Sequence, residues 1–175
     1  MCIRDRVCTN GRHDSCCATF GRPLVRALRE SAHADWTWEC SHIGGDRFAG
    51  NIVILPDSLY FGRCAPERGV GVIEAYDRGH LDIAHYRGRS TLSYMHQAAE
   101  FFARRQMSVS SIDAVTAVRR VGDAADGHFD VAIAGSGTVH VTVRRSTLDA
   151  PSALTCTGST DVTLPSYELV SVRVE

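Results

Sequence analysis

Apolar and polar positions along the chain change period several times, and each change marks an element. "RVCTN" is a short apolar run closed by Asn10-Gly11, which predicts a strand entering a turn. From Ser15 to Ser31 the period is helical. Phe20, Leu24 and Leu28 recur on one side, and Arg22, Arg26, Arg29 and Glu30 take the other. Pro23 is expected to kink that helix or to mark where its regular part begins. "DWTWEC" alternates Trp36 and Trp38 with polar residues, as a strand does. "NIVILPDSLYFGR" predicts two strands, 51–55 and 59–63, joined at Pro56-Asp57-Ser58. A helix over 66–79 follows, with Pro66 in its first turn. Residues 89–107 form the clearest later helix, with Tyr94, Ala98, Phe101 and Phe102 on one face.

Beyond Ser111 the alternation becomes that of strands: "DAVTAVRRV", "HFDVAIAG", "TVHVTVRRS" and "YELVSVRVE", separated by Gly-, Asp- and Ser-rich turns. The expected architecture is α/β. Strand–helix–strand, hairpin and helix over 7–80 follow the element order of a thioredoxin-like unit. A connecting helix region over 81–110 and a small antiparallel β region over 111–175 complete it. Ahead of these, "MCIRDR" (1–6) resembles translated adaptor sequence, is read as a non-native or truncated start, and leaves Cys2 without a role.

Composition narrows the class without naming a function. The chain is 44% hydrophobic and 22% charged with a net charge of −1, an ordinary globular balance. It has no basic footprint for nucleic acid and no apolar run near the roughly 20 residues that span a bilayer. Seven cysteines in 175 residues, without a signal peptide or regular disulfide spacing, fit a cytoplasmic metal or redox site better than a disulfide framework. Cys64 and Cys156 fit a buried small apolar position equally well.

Two stretches carry candidate chemistry. In "VCTNGRHDSCCATFG" Cys8 ends a strand, and Cys16-Cys17 opens a helix whose positive end favours the thiolate form. Neighbouring helical residues point about 100° apart, so only one of Cys16 and Cys17 can join Cys8. In "WECSHIGGDRFAGN" Cys40 and His42 share one face of a strand, and Gly44-Gly45 lets the following loop wrap closely. Asn51 is expected to bond the backbone of that loop. Cys8, Cys17, Cys40 and His42 together suit a [2Fe–2S] cluster, with tetrahedral Zn²⁺ as the alternative metal. A metal-free thiol–disulfide oxidoreductase using Cys8 with Cys16 or Cys17 is the rival from the enzyme class, and a zinc-stabilised interaction domain is a third reading.

"VCTNGRHDSCCATFGRPL", "WECSHIGGDRFAGNIVILPDSLYFGR" and "YRGRSTLSYMHQAAEFFARR" resemble the sucrase/ferredoxin-like family, relatives of thioredoxin-like [2Fe–2S] ferredoxins. The likeness extends over most of 7–175. In fungal relatives two Cys of the first motif and two His spaced H-x-G-G-H hold the cluster. The resemblance therefore implies Cys8, Cys17 and His42 as ligands and places Asp46 where the second His would stand. A carboxylate is a poor iron–sulfur ligand, which makes Cys40 the expected fourth donor. Asp46 is then expected to accept a hydrogen bond beside the site or to pair with Arg47. No pair of carboxylates stands out as a glycosidase acid and nucleophile, so "sucrase" finds no support in these residues. The expected role is an electron carrier, with Arg12, Arg22 and Arg47 offered to an acidic redox partner protein.

Overall fold

The computed structural model describes residues 4–12, 14–148, 155–156, 158 and 163–175; Cys2 lies outside them. Strand β1 (Asp5–Cys8), helix α1 (Ser15–Arg29) and strand β2 (Thr37–Cys40) form a β-α-β unit with β1 and β2 parallel. A parallel pair cannot be joined by a tight turn, and α1 supplies the crossover. Strands β3 (Ile52–Ile54) and β4 (Leu59–Phe61) form a hairpin whose first strand runs antiparallel to β1. Strand β5 (Tyr86–Arg89) closes a mixed sheet of order β2-β1-β3-β4-β5. Helix α2 (Pro66–Asp77) packs on α1, so closely that a Cβ on Gly69 would lie 2.0 Å from Leu24 Cδ1. Val7, Leu24, Leu28, Ile52, Ile54, Phe61 and Ile73 are buried in the core between helices and sheet.

The second sheet is antiparallel, in the order β6 (Val115–Val121), β7 (Gly127–Ile133), β8 (Gly137–Thr147) and β9 (Pro165–Val174). Helix α3 (Tyr94–Met107) lies against it and buries Ala99 and Ala103 with Phe129, Val131, Val139, Val141 and Val143. The element order expected over 7–80 is found, and the β character beyond 111 is found as one four-stranded meander.

Several expectations need correction. The stretch assigned to the later helix begins as β5, and the helix itself starts at Tyr94. Tyr86 and Gly88, both buried, place β5 in the first sheet, although its residues were assigned to a connecting region. On α1, Phe20 is 51% exposed, and the buried face is Cys17, Gly21, Leu24, Val25 and Leu28. The reason is Gly21: a Cβ there would sit 2.0 Å from the Cys8 carbonyl oxygen, so the helix meets β1 through its glycine and turns Phe20 aside. On α3, Tyr94 is 71% exposed, because the helix buries its Ala99/Ala103 side. Helix α1 continues through Pro23. Among the described residues no helix is long and apolar enough to cross a membrane.

Candidate metal centre

Close packing of α1 on β1 brings two cysteines together. Cys8 is the last residue of β1 and Cys17 lies in the first turn of α1; each is only 1% exposed. Asp14 caps the helix, its carboxylate accepting the Cys16 N–H at 3.0 Å. Past β2 the chain reverses through Gly44 and Gly45, at φ +80° and +73°, a left-handed conformation that glycine adopts without strain. Asn51 holds this turn by donating from Nδ2 to the Gly45 carbonyl at 2.8 Å, the backbone role expected of it. A short 3₁₀ turn, Asp46–Phe48, then returns Asp46 to the cysteines, and the Cys17 thiol donates to Asp46 Oδ1 at 3.2 Å.

The two sulfurs and an Asp46 oxygen all lie within 4.8 Å of one another, and all three residues are buried. His42 stands at the rim, its Nδ1 3.5 Å from Asp46 Oδ1. Cys40 faces Cys8 across the parallel β1–β2 pair and is partly exposed, outside the compact trio. Of the residues nominated from sequence, Cys8 and Cys17 thus meet directly. His42 meets them through Asp46, and Cys40 flanks them through the sheet. Arg47, considered as a partner of Asp46, stacks its guanidinium 4.6 Å from the Phe48 ring centre.

Burial drives the Cys17 thiol far above its ordinary value, and hydrogen bonds with Cys8 and Asp46 push the same way. Burial, then the nearness of Cys8, also raises the Cys40 thiol. Crowded acidic groups of this kind are poor anions by themselves and good ones around a cation, which deprotonates its thiol ligands outright. Two thiols, a carboxylate and an imidazole supply four donors. That number and type fit tetrahedral zinc; a [2Fe–2S] cluster also fits, less comfortably, with one oxygen donor.

Cys64 is 2% exposed, and burial pushes its thiol up to about 12, so it is a small core residue. Cys156 is exposed instead. It forms a second compact group with Asp14 and Cys16. Nothing local in the sequence announces this group, because Cys156 comes from 140 residues farther along the chain.

The sucrase/ferredoxin-like family model matches residues 6–88. A relative from Meyerozyma guilliermondii, altered inheritance of mitochondria protein 32, is 30% identical over 93 residues, which cover 47% of this chain and 33% of its own. The chain therefore spans about a third of the length of the curated relative it matches. No solved structure matches the chain. Cys8, Cys17, Cys40, His42 and Asp46 all lie inside the segment that matches the sucrase/ferredoxin-like family model.

Proposed function

We propose that the chain is an electron-transfer protein whose thioredoxin-like unit holds a [2Fe–2S] cluster, with Cys8, Cys17 and His42 among its ligands. The observation that carries this reading is the buried meeting of Cys8, Cys17 and Asp46 within 4.8 Å, inside the segment that matches a ferredoxin-related family. When bound, such a cluster supplies one-electron transfer. The chain's own part is to hold two thiolates away from water at the joint of β1 and α1. His42, with 41% of its side chain exposed, is a ligand candidate open to solvent. For the fourth position, Cys40 is the better iron donor by chemistry, and the 3.2 Å contact with Cys17 supports Asp46 by placement.

Arg47, Arg63 and Arg87 lie 4.6, 5.4 and 5.2 Å from the ring centre of Phe48, which follows Asp46 by two residues. This cationic rim supports docking of an acidic redox partner protein. Arg12 and Arg22 line a separate cleft beside Thr9 and Ser15. The use of cysteine fits a cytoplasmic, reducing setting.

A second reading, a zinc-stabilised domain, is favoured by the Asp46 carboxylate in the trio, since zinc accepts oxygen donors readily. Anaerobic purification followed by metal and sulfide analysis separates the two. The electron carrier requires visible absorption with about two iron and two acid-labile sulfides per chain. A colourless protein with one zinc rejects it.

A further inference from the structure

The N-terminal end of α1 carries a second sulfur pair beside the first centre. We propose that Cys16 and Cys156 form a dithiol–disulfide couple that exchanges with small organic disulfides, separate from the Cys8/Cys17/Asp46 centre.

Cys16 and Cys17 are consecutive on α1, so their side chains diverge by about 100°. Cys17 turns to Cys8 and Asp46, and Cys16 turns to Cys156, where both sulfurs and an Asp14 oxygen lie within 4.8 Å of one another. Cys156 is held in place rather than merely nearby. Its N–H donates to Asp14 Oδ2 at 2.8 Å, and its thiol donates to Asp14 Oδ1. Its sulfur in turn accepts the Cys16 N–H at 3.3 Å and lies 3.0 Å from Ser15 Oγ. These contacts hold the Cys156 sulfur at the N-terminal end of α1, within reach of Cys16. Against the cost of burial, hydrogen bonds from Cys156 and Cys16 hold the Asp14 carboxyl below its ordinary range, and it remains an ionised anchor.

The two sulfurs differ in access, Cys156 being exposed and Cys16 partly buried, and this sets their roles. Cys156, exposed to solvent, gives up its proton to water, and the thiolate attacks one sulfur of a disulfide R–S–S–R. The S–S bond breaks, one R–S⁻ leaves with the electron pair and takes a proton from water, and Cys156 is joined to the other R–S. Cys16 then loses its proton and attacks the Cys156 sulfur, expelling the second R–S⁻, which is protonated in turn. Two protein thiols are oxidised and one organic disulfide is reduced to two thiols, so electrons and protons balance. The incoming disulfide has room: a cleft of about 230 Å³ is lined by Cys16, Phe20, Asp46, Arg47 and Cys156. This also gives the exposed Phe20 ring a place as an apolar wall.

The test treats the reduced full chain with glutathione disulfide and follows it by intact mass and peptide mapping. The expected product has lost two hydrogens, retains no glutathione, and joins Cys16 to Cys156. Cys16→Ser should trap one glutathione on Cys156, and Cys156→Ser should react roughly tenfold or more slowly. Cys17→Ser should still form the cross-link, whatever happens to metal at the first centre. A cross-link of Cys17 to Cys8 or Cys16, separate adducts on both thiols of the wild type, or no reaction overturns the couple. So does zinc that protects Cys16 and Cys156 from alkylation in the Cys8→Ser/Cys17→Ser double variant.

Discussion

Cys17 Sγ stands 3.2 Å from Asp46 Oδ1, a buried thiol donating to a buried carboxylate across 29 residues of sequence. With Cys8 Sγ also within 4.8 Å, two buried thiols and a carboxylate crowd together, a donor set that suits a cation. Asp46→Ala is accordingly expected to lower iron or zinc occupancy at least about tenfold, while Cys40→Ser retains most of it. Asp46→His, which restores the H-x-G-G-H spacing, is expected to retain or raise occupancy. Metal analysis of the three variants beside the wild type checks this, and selective loss in Cys40→Ser reverses the assignment of the fourth donor.

The position of Cys17 depends on Gly21. An added Cβ would lie 2.0 Å from the Cys8 carbonyl oxygen and 3.1 Å from its carbon, both backbone atoms that cannot swing away. Gly21→Ala must therefore push α1 off β1. The expected cost is roughly 3 kcal/mol, the upper part of the usual overpacking range, read from the denaturant midpoint. Metal retention should fall with it, because Cys8 and Cys17 are carried by the two elements being separated. A variant of wild-type stability would remove the close approach from the account of the site.

Much of this was legible because local signals agreed with the fold. The strand before Asn10-Gly11, the Ser15–Arg29 helix and the hairpin about Pro56-Asp57-Ser58 each follow from residues within the element. The pairing of Cys8 with Cys17 was legible too, since one strand end and one helix start bracket a short loop. What escaped depends on tertiary contact. Phe20 reads as core by period, but a glycine contact rotates it outward. Tyr86–Arg89 is too short and too glycine-interrupted to announce a strand, and it becomes one by pairing with β4. Asp46 was expected to accept a hydrogen bond beside the site, and the left-handed turn at Gly44-Gly45 makes Cys17 itself the donor. Cys156 could be matched to Cys16 by no spacing rule.

A buried ion pair in α3 gives a test of stability away from the site. Arg104 Nε lies 2.9 Å from Glu100 Oε1, with side-chain exposures of 0% and 1%. The guanidinium also donates to the carbonyls of Ser111 and Ile112 at 2.7 and 3.1 Å, which ties the helix to the chain entering the second sheet. Tyr86 donates to Glu100 at 3.4 Å, and its phenol is raised, by burial first and then by the Glu100 charge. Glu100→Ala leaves Arg104 charged, buried and without its carboxylate, which is expected to cost about 3 to 5 kcal/mol. Glu100→Ala combined with Arg104→Met should recover part of that loss, because the stranded charge is gone. Urea unfolding of both variants checks the order, and a double variant less stable than the single one contradicts it.

The outer sheet supplies a pH dependence of known sign. His140 on β8 places Nδ1 2.7 Å from Asp130 Oδ1 and Nε2 3.2 Å from Glu175 Oε1. The hydrogen bond to Asp130 raises its pKa above the ordinary 6.5; burial opposes this, and Glu175 adds to it. The native state therefore binds this proton more tightly than the unfolded chain does. Its contribution to stability is complete below the unfolded value and is lost as pH rises through the native one. Between about pH 5 and about pH 8, the wild type should lose thermal stability relative to His140→Gln as the pH rises. Titration of the His140 ring by NMR should give a midpoint above 6.5, moving down in Asp130→Asn. Because the group is half-exposed, both effects should shrink in high salt. A midpoint at or below 6.5 would mean that the two carboxylates do not hold the imidazolium in solution.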